Sequence, residues 1–350
     1  MDTVKLLESL SNAFGVAGFE DEVRAVIQKL IEPHVDEIHT DVLGNLIATR
    51  KGASPFKLML DAHMDEIGLI INYIDESGFL RFVAIGGWDA RILPAHAVTI
   101  FTRDGKKVNG VIGASPPHIL KPEDREKVLK IEDLFIDVGA SSAEEAEALG
   151  IRIGDPATIF YPFGLLNEKC VIGKALDDRA GCAVIIKVLE ELKNEKLPLT
   201  LVCSFAVSEE IGLRGARTAA YQIKPDLALA LEGTVGADTP GVQPQRQPTQ
   251  LSKGPAITIA DNTIIVNRRL VKALEELAQR NNIPYQIKLP IFGGTDAGAI
   301  HTTRGGILAG VISVPCRYIH SPLQVMRLDD FENAVKLTKE FVRNCRGLLA

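Results

Sequence analysis

The chain has 350 residues, a net charge of −6 at pH 7, 46% hydrophobic and 24% charged residues, an ordinary globular composition with room for one large domain or two ordinary ones. The acidic balance argues against a general binder of nucleic acid or anionic membrane, which needs a basic face. No apolar run approaches the roughly 20 residues of a spanning helix, MDTVKLLESLSNAFG carries no signal-peptide pattern, and five scattered cysteines without CxxC fit reduced, buried thiols in a cytoplasmic protein.

The first 35 residues read as two helices, VKLLESLSNAF and FEDEVRAVIQKLIEPH, with apolar residues at three- and four-residue spacing. NLIATRKG and FKLMLDAH read as strands meeting across a Gly/Ser/Pro turn. From residue 68 to 163 the texture is short alternating strands with DESG- and RDGK-type turns, broken by one helix at SAEEAEALG. From 164 onward strands and helices alternate: DRAGCAVIIKVLEELK is helical, LTLVCSFAVSEE and DLALALEG are strands, IIVNRRLVKALEELAQRNN is helical, GGILAGVISVP is a strand and DDFENAVKLTKEFVRNCRGLL a closing helix. TPGVQPQRQPTQLSKGP is a surface loop. The expected architecture is a three-layer α/β sandwich with a mixed, largely parallel central sheet. Residues 1–67 and 164–350 form it, and 68–163 are an inserted, barrel-like β-rich domain.

Ionisable residues collect where strands end, the place where open α/β sheets carry their sites. LMLDAHMDEIGLII places Asp61, His63, Asp65 and Glu66 in a core-strand pattern. His63 and Asp65, two apart in an extended segment, point the same way, so Asp65 is placed to hold a liganding imidazole. Asp61 is expected to bond neighbouring backbone and Glu66 to be solvated. GKALDDRAG puts Asp177 and Asp178 before a helix, which a plain N-cap also explains. Glu209 and Glu210 follow a strand, as solvated turn residues commonly do; Glu232 follows six apolar residues, and His320 follows a strand and short loop. Singly each is unremarkable. Together His63, Asp177, Glu210, Glu232 and His320 are enough nitrogen and oxygen ligands for two ions sharing one carboxylate, with Glu209 left over as a base. Paired metals about 3.5–4 Å apart are a common hydrolytic device.

The ordered stretches DAHMDEIG, GKALDDRAG, VSEEIGLRGA, ALEGTVGADTPG, GGTDAGAIH and RYIHSP resemble the tetrahedral (TET-type) and glutamyl aminopeptidases, a family of dinuclear metallopeptidases, over essentially the whole chain. The resemblance implies a bridging Asp177, one metal site completed by His63 and Glu232, and the other by Glu210 and His320. It also implies Glu209 as catalytic carboxylate, Asp65 as partner of His63, and two divalent ions, zinc or cobalt. Many relatives have Asp at the position of Glu232. The insert resembles the family's dimerisation domain, so a homo-oligomer is expected, a dimer at least and in some relatives a tetrahedral dodecamer. Peptides are the implied substrates. Gly294, Thr295 and Asp296 of the GGTDAG segment are expected near the substrate, although a tight strand-to-helix turn explains them equally.

Three other readings share these residues: a two-metal deacylase or dipeptidase, a glycosidase, and a non-catalytic metal- or peptide-binding assembly protein. A glycosidase needs two carboxylates and no metal; the spare Glu209 beside Glu210 argues against a retired enzyme. His34, His39, His96, His118 and His301 acquire no role from sequence.

Overall fold

The computed structural model describes residues 1–116 and 118–348. They divide into two units, Met1–Asp65 with Phe163–Ile319 and Leu323–Ala350, and Glu66–Pro162 with His320–Pro322.

The first unit is built on an 11-stranded sheet. Its centre is four mutually parallel strands in the order Thr200–Ala206, Lys57–His63, Leu227–Val235 and Leu308–Arg317. These are the most continuously apolar segments of the chain, and continuous apolarity is what a strand buried on both faces requires. Toward the edges the pairing turns antiparallel, through Leu46–Arg50 and Glu37–Thr40 on one side and Gln324–Arg327, Cys170–Gly173 and Gly164–Asn167 on the other. The short Ala256–Thr258 and Gln286–Lys288 strands attach beside Leu308–Arg317.

Two helix groups cover the sheet. Leu176–Leu192 packs with Thr3–Asn12, Asp21–Ile31 and Leu328–Leu348, while Arg214–Ile223 packs with Asp296–His301. The result is the expected mixed-sheet sandwich, with its parallel character confined to the centre.

One pairing differs from the sequence reading. Leu46–Arg50 and Lys57–His63 do not pair with each other. Thr200–Ala206 lies between them, antiparallel to the first and parallel to the second. The Lys57–His63 strand is buried from Leu58 onward, and entry of Thr200–Ala206 gives it parallel neighbours on both edges. Among the described residues no helix is long and apolar enough to cross a membrane. Cys182, Cys203, Cys316 and Cys345 are buried free thiols, and Cys170 is half-buried.

The second unit is a closed six-stranded barrel, in the order Gly68–Ile74, Leu80–Ile85, Phe135–Asp137, Lys107–Gly113, Ala97–Phe101 and Pro156–Ile159. Residues two apart fill the interior, as Leu69 and Ile71, Leu80 and Phe82, Val98 and Ile100 are all buried. Closure removes the exposed strand edges that an open sheet of this size would present. The Ala143–Ala148 helix of this unit is capped by Ser142, whose hydroxyl accepts the Glu145 N–H. Glu66 is not solvated as expected: it is 3% exposed and accepts the Thr158 hydroxyl at 2.9 Å. A buried carboxylate without such a donor would be expensive.

Candidate metal centre

The parallel registers bring the acids together. Ala206 is the partner of His63, so Glu209 and Glu210 leave their strand beside the imidazole. On the other side Ala230 is the partner of Asp61. Two residues further along each strand, that register sets Glu232 level with His63. His63 Nε2 lies 3.7 Å from Glu209 Oε2 and 3.8 Å from Glu232 Oε2.

The fourth partner comes from the start of Leu176–Leu192. Asp177 and Asp178 have non-helical backbone angles, and their peptide bond is cis. Asp178 is the true cap. One of its oxygens accepts the Gly181 N–H three residues on, at 2.9 Å, and the other accepts the His63 N–H at 3.2 Å. The capping explanation is therefore satisfied by Asp178, and Asp177 turns the other way, its Oδ1 3.6 Å from His63 Nε2. The Asp177 N–H is held by Gln324 Oε1 at 2.9 Å.

Asp65 does more than the sequence suggested. The Nδ1 of His63 lies 3.2 Å from the Asp65 carbonyl and 3.5 Å from its carboxylate. The same carboxylate accepts the N–H groups of Glu209 at 3.0 Å and Glu210 at 3.1 Å. One side chain thus fixes both the imidazole and the two-glutamate turn. Two further anchors of that turn carry no recognisable sequence pattern: Asn45 accepts the Val207 N–H at 3.0 Å, and Glu20 accepts the Ser208 N–H at 3.1 Å.

Asp296 donates its N–H to Glu232 Oε1 at 3.0 Å, and the Thr295 hydroxyl donates to Asp261 at 2.8 Å. Thr295 and Asp296 are 2% and 0% exposed. Both side chains are buried, and it is the Asp296 backbone N–H that holds Glu232, while Thr295 holds Asp261; Gly294 is the exposed member of the three. Asp61, expected to bond backbone, accepts from no backbone N–H among the described residues; its buried carboxylate lies beside the Ser204 hydroxyl and the buried Asp296 carboxyl. His320 is half-buried in the segment His320–Pro322, with Nδ1 3.1 Å from the Gly87 carbonyl. His39 approaches Gln222, and His301 the carbonyl of Ala297.

Burial sets the electrostatics. It lifts the Glu209 carboxyl to about 7, against the pull of His63, and raises Glu210, Glu232, Asp178 and Asp296 well above the carboxylate range. Asp61 is lifted to about 6 by the same cause. Burial pulls His63 down, but Glu209, Asp177 and Asp65 outweigh it and hold the imidazole well above its ordinary value. So many buried carboxyls around one imidazole is an arrangement short of positive charge. The donor atoms of His63, Asp178 and Glu232, and those of His63, Glu209 and Glu210, lie within 4.8 Å of one another. Imidazole nitrogen and carboxylate oxygen are the donors that divalent zinc accepts, and the residues present fit such ions.

A mixed α/β sheet whose parallel strands deliver an imidazole and several carboxylates to one rim defines a metal-dependent hydrolase. The family described as M42 glutamyl aminopeptidase matches residues 44–337, and the chain belongs to that family. It is 45% identical over 344 residues to a putative aminopeptidase of Acetivibrio thermocellus, covering 97% of this chain and 98% of the relative. It is 36% identical over 348 residues to the lysyl aminopeptidase of Pyrococcus furiosus, covering 98% of each. A crystal structure of a TET aminopeptidase from a marine-sediment thaumarchaeon superposes with a TM-score of 0.95 at 38% identity, over 98% of this chain and 96% of that one. The Pyrococcus horikoshii TET1 peptidase, described as assembling into a tetrahedron or a large octahedral shell, superposes with a TM-score of 0.88 at 34% identity, over 98% and 100%. The protein is accordingly a metal-dependent aminopeptidase, a hydrolase of peptide bonds.

Proposed function

We propose that the chain removes single residues from the free N-termini of peptides with two divalent ions, zinc or cobalt, and Glu209 as the base. The observation that supports this best is the meeting of Asp177, Glu209 and Glu232 around His63 Nε2 at 3.6, 3.7 and 3.8 Å. In this reading Asp177 would be the ligand shared by the ions, His63 and Glu232 would complete one site, and Glu210 and His320 the other. Bound there, the ions supply an acidified water and a Lewis acid for the scissile carbonyl.

Glu209 Oε2 takes the proton of the attacking water and returns it to the departing amine. In the metal-free site burial raises this carboxyl to about 7, and bound cations would draw it down again, so that it takes up the water's proton as a carboxylate. Asp65 orients Glu209 through its N–H and the imidazole through Nδ1. The acidic lining favours a free α-amino group and disfavours a blocked one, which makes the enzyme an exopeptidase. Gly294 borders the substrate, Asp296 positions Glu232 through its N–H, and Thr295 steadies the turn through Asp261. Residues 68–163 serve in dimerisation, and the protein works in the cytoplasm as a homo-oligomer.

Glu209→Gln tests the base. The account predicts that both ions stay bound, counted by elemental analysis, while turnover of an aminoacyl-p-nitroanilide falls by about 10²–10⁴. Turnover retained with both ions in place would remove Glu209 from its role.

A further inference from the structure

A cavity of about 390 Å³ lies in the helix layer of the first unit, lined by Arg217, Thr218, Tyr221, Thr302, Thr303 and Arg304. The Arg214–Ile223 helix supplies the first three, and the turn after the Asp296–His301 helix supplies the others. Both helices start at the acid-bearing rim, the first shortly after Glu210 and the second at Asp296, whose N–H holds Glu232. Each then runs back toward the start of a parallel strand, Leu227–Val235 and Leu308–Arg317. The cavity therefore lies toward the ends of these helices that point away from the metal centre. Neither Glu209 nor any of the expected metal ligands lines it.

The charge of this cavity is unbalanced. Both arginines are exposed and no acidic residue is in the lining. Neither has a carboxylate partner among the described residues. Other arginines of this surface are paired: Arg91 with Asp89, Arg280 with Glu276, Arg327 with Asp329 and Arg343 with Glu195 and Glu340. Arg304 is held in place, because it donates to the Tyr221 carbonyl at 3.3 Å and its guanidinium lies 4.9 Å from the centroid of the Tyr221 ring. Two cations lining one cavity repel each other, and an anion between them relieves the repulsion. Guanidinium forks match the oxygens of a phosphate.

The remaining lining is largely spent or apolar. The hydroxyls of Thr218, Thr302 and Thr303 donate to the carbonyls of Gly215, Gly298 and Ala299, and Thr218 also accepts the Asn45 amide at 3.1 Å. The side-chain donors left for a ligand are the two guanidiniums and the Tyr221 hydroxyl. The Tyr221 ring is 62% exposed and offers a flat surface on which a second ring stacks. The volume falls in the range of about 300–1,000 Å³ that encloses a small organic ligand.

We propose that this cavity is a second ligand site, separate from the metal centre, for a phosphate monoester that carries a flat ring. Arg217 and Arg304 take the phosphate and Tyr221 takes the ring. The two positive charges match the near-dianion that a phosphate monoester is at neutral pH, whereas a carboxylate would leave one cation unmatched.

The test is calorimetry of the zinc-loaded full chain at pH 7.5 and low salt, with AMP, inorganic phosphate and adenosine as probes. AMP should bind once per chain, more tightly than either of the other two. Its affinity should fall about tenfold in Arg217→Gln and in Arg304→Gln, the worth of one charge-assisted pair, and vanish in the double variant. Tyr221→Leu should weaken AMP and leave inorganic phosphate unchanged. Arg217→Glu alters an exposed side chain and should abolish AMP binding even where a change at Arg304 disturbs its turn; an unchanged thermal midpoint without ligand shows that the fold is intact. Zinc itself also attracts phosphate, and the arginine variants separate the two places. AMP binding that survives the double variant belongs to the metal centre and overturns the inference. No binding by the parent, or equal affinity for AMP and inorganic phosphate, overturns it as well.

Discussion

Asp177 and Asp178 are neighbours with the same side chain and different surroundings. Asp178 closes two buried N–H groups, those of His63 and Gly181, whereas Asp177 faces the imidazole. Asp178→Ala should therefore destabilise even the metal-stripped protein by about 2–4 kcal/mol, since two buried donors lose their acceptor. Chemical denaturation checks this, and a change below about 1 kcal/mol would contradict the capping role. The sequence could show an aspartate pair before a helix but not which of the two caps it, because the distinction lies in two backbone angles. Titration gives a second residue-scale expectation. In the stripped protein the Glu209 carboxyl is raised by burial from 4.5 to about 7, and His63 is raised as well. Both shifts mean the folded state binds more protons than the unfolded state, so stability is present at low pH and lost as pH rises, for Glu209 between about 4.5 and 7. Metal ligands must be deprotonated, so the loaded protein should respond oppositely over that range. Thermal midpoints at pH 5 and pH 7.5, with and without zinc, check the sign.

At the scale of elements, the strands carrying the site were legible because their apolar runs are unbroken up to the ionisable residue. DLALALEG and LTLVCSFAVSEE announce both the strand and the place where it delivers an acid. Their order in the sheet was not legible, because nothing in NLIATRKG or FKLMLDAH says that a strand from residue 200 will enter between them. Asn45, Glu20 and Gln324 escaped for a related reason: each acts through contacts distant in sequence. Close approach of elements leaves a sharper mark. A Cβ on Gly181 would lie 2.5 Å from the Asp178 carboxylate and 2.5 Å from the Leu231 carbonyl. Gly181→Ala should push the Leu176–Leu192 helix off the Glu232 strand, cost about 1–3 kcal/mol and weaken metal binding together with stability. Unchanged zinc affinity in this variant would separate helix packing from the metal centre.

For the molecule as a whole, the alternation of short strands between residues 68 and 163 made a β-rich insert readable, and the structure closes it into a barrel. Assembly is not written in composition, and the homo-oligomer is a proposal supported by relatives. Sedimentation velocity should give a mass at least twice the 37.9 kDa of one chain; a monomer at micromolar concentration would contradict it. Metal removal should act on the entire fold, because ions that bind only the native state stabilise it by mass action, about 4 kcal/mol when free metal exceeds its dissociation constant a thousandfold.

The most direct measurement is a zinc or cobalt titration of the chelated protein while it is offered aminoacyl-p-nitroanilides and their N-acetylated counterparts. The account predicts release from the free-amine substrates alone, rising until two ions are bound per chain. Release from the acetylated substrates, or full activity in the stripped protein, would contradict a two-metal aminopeptidase.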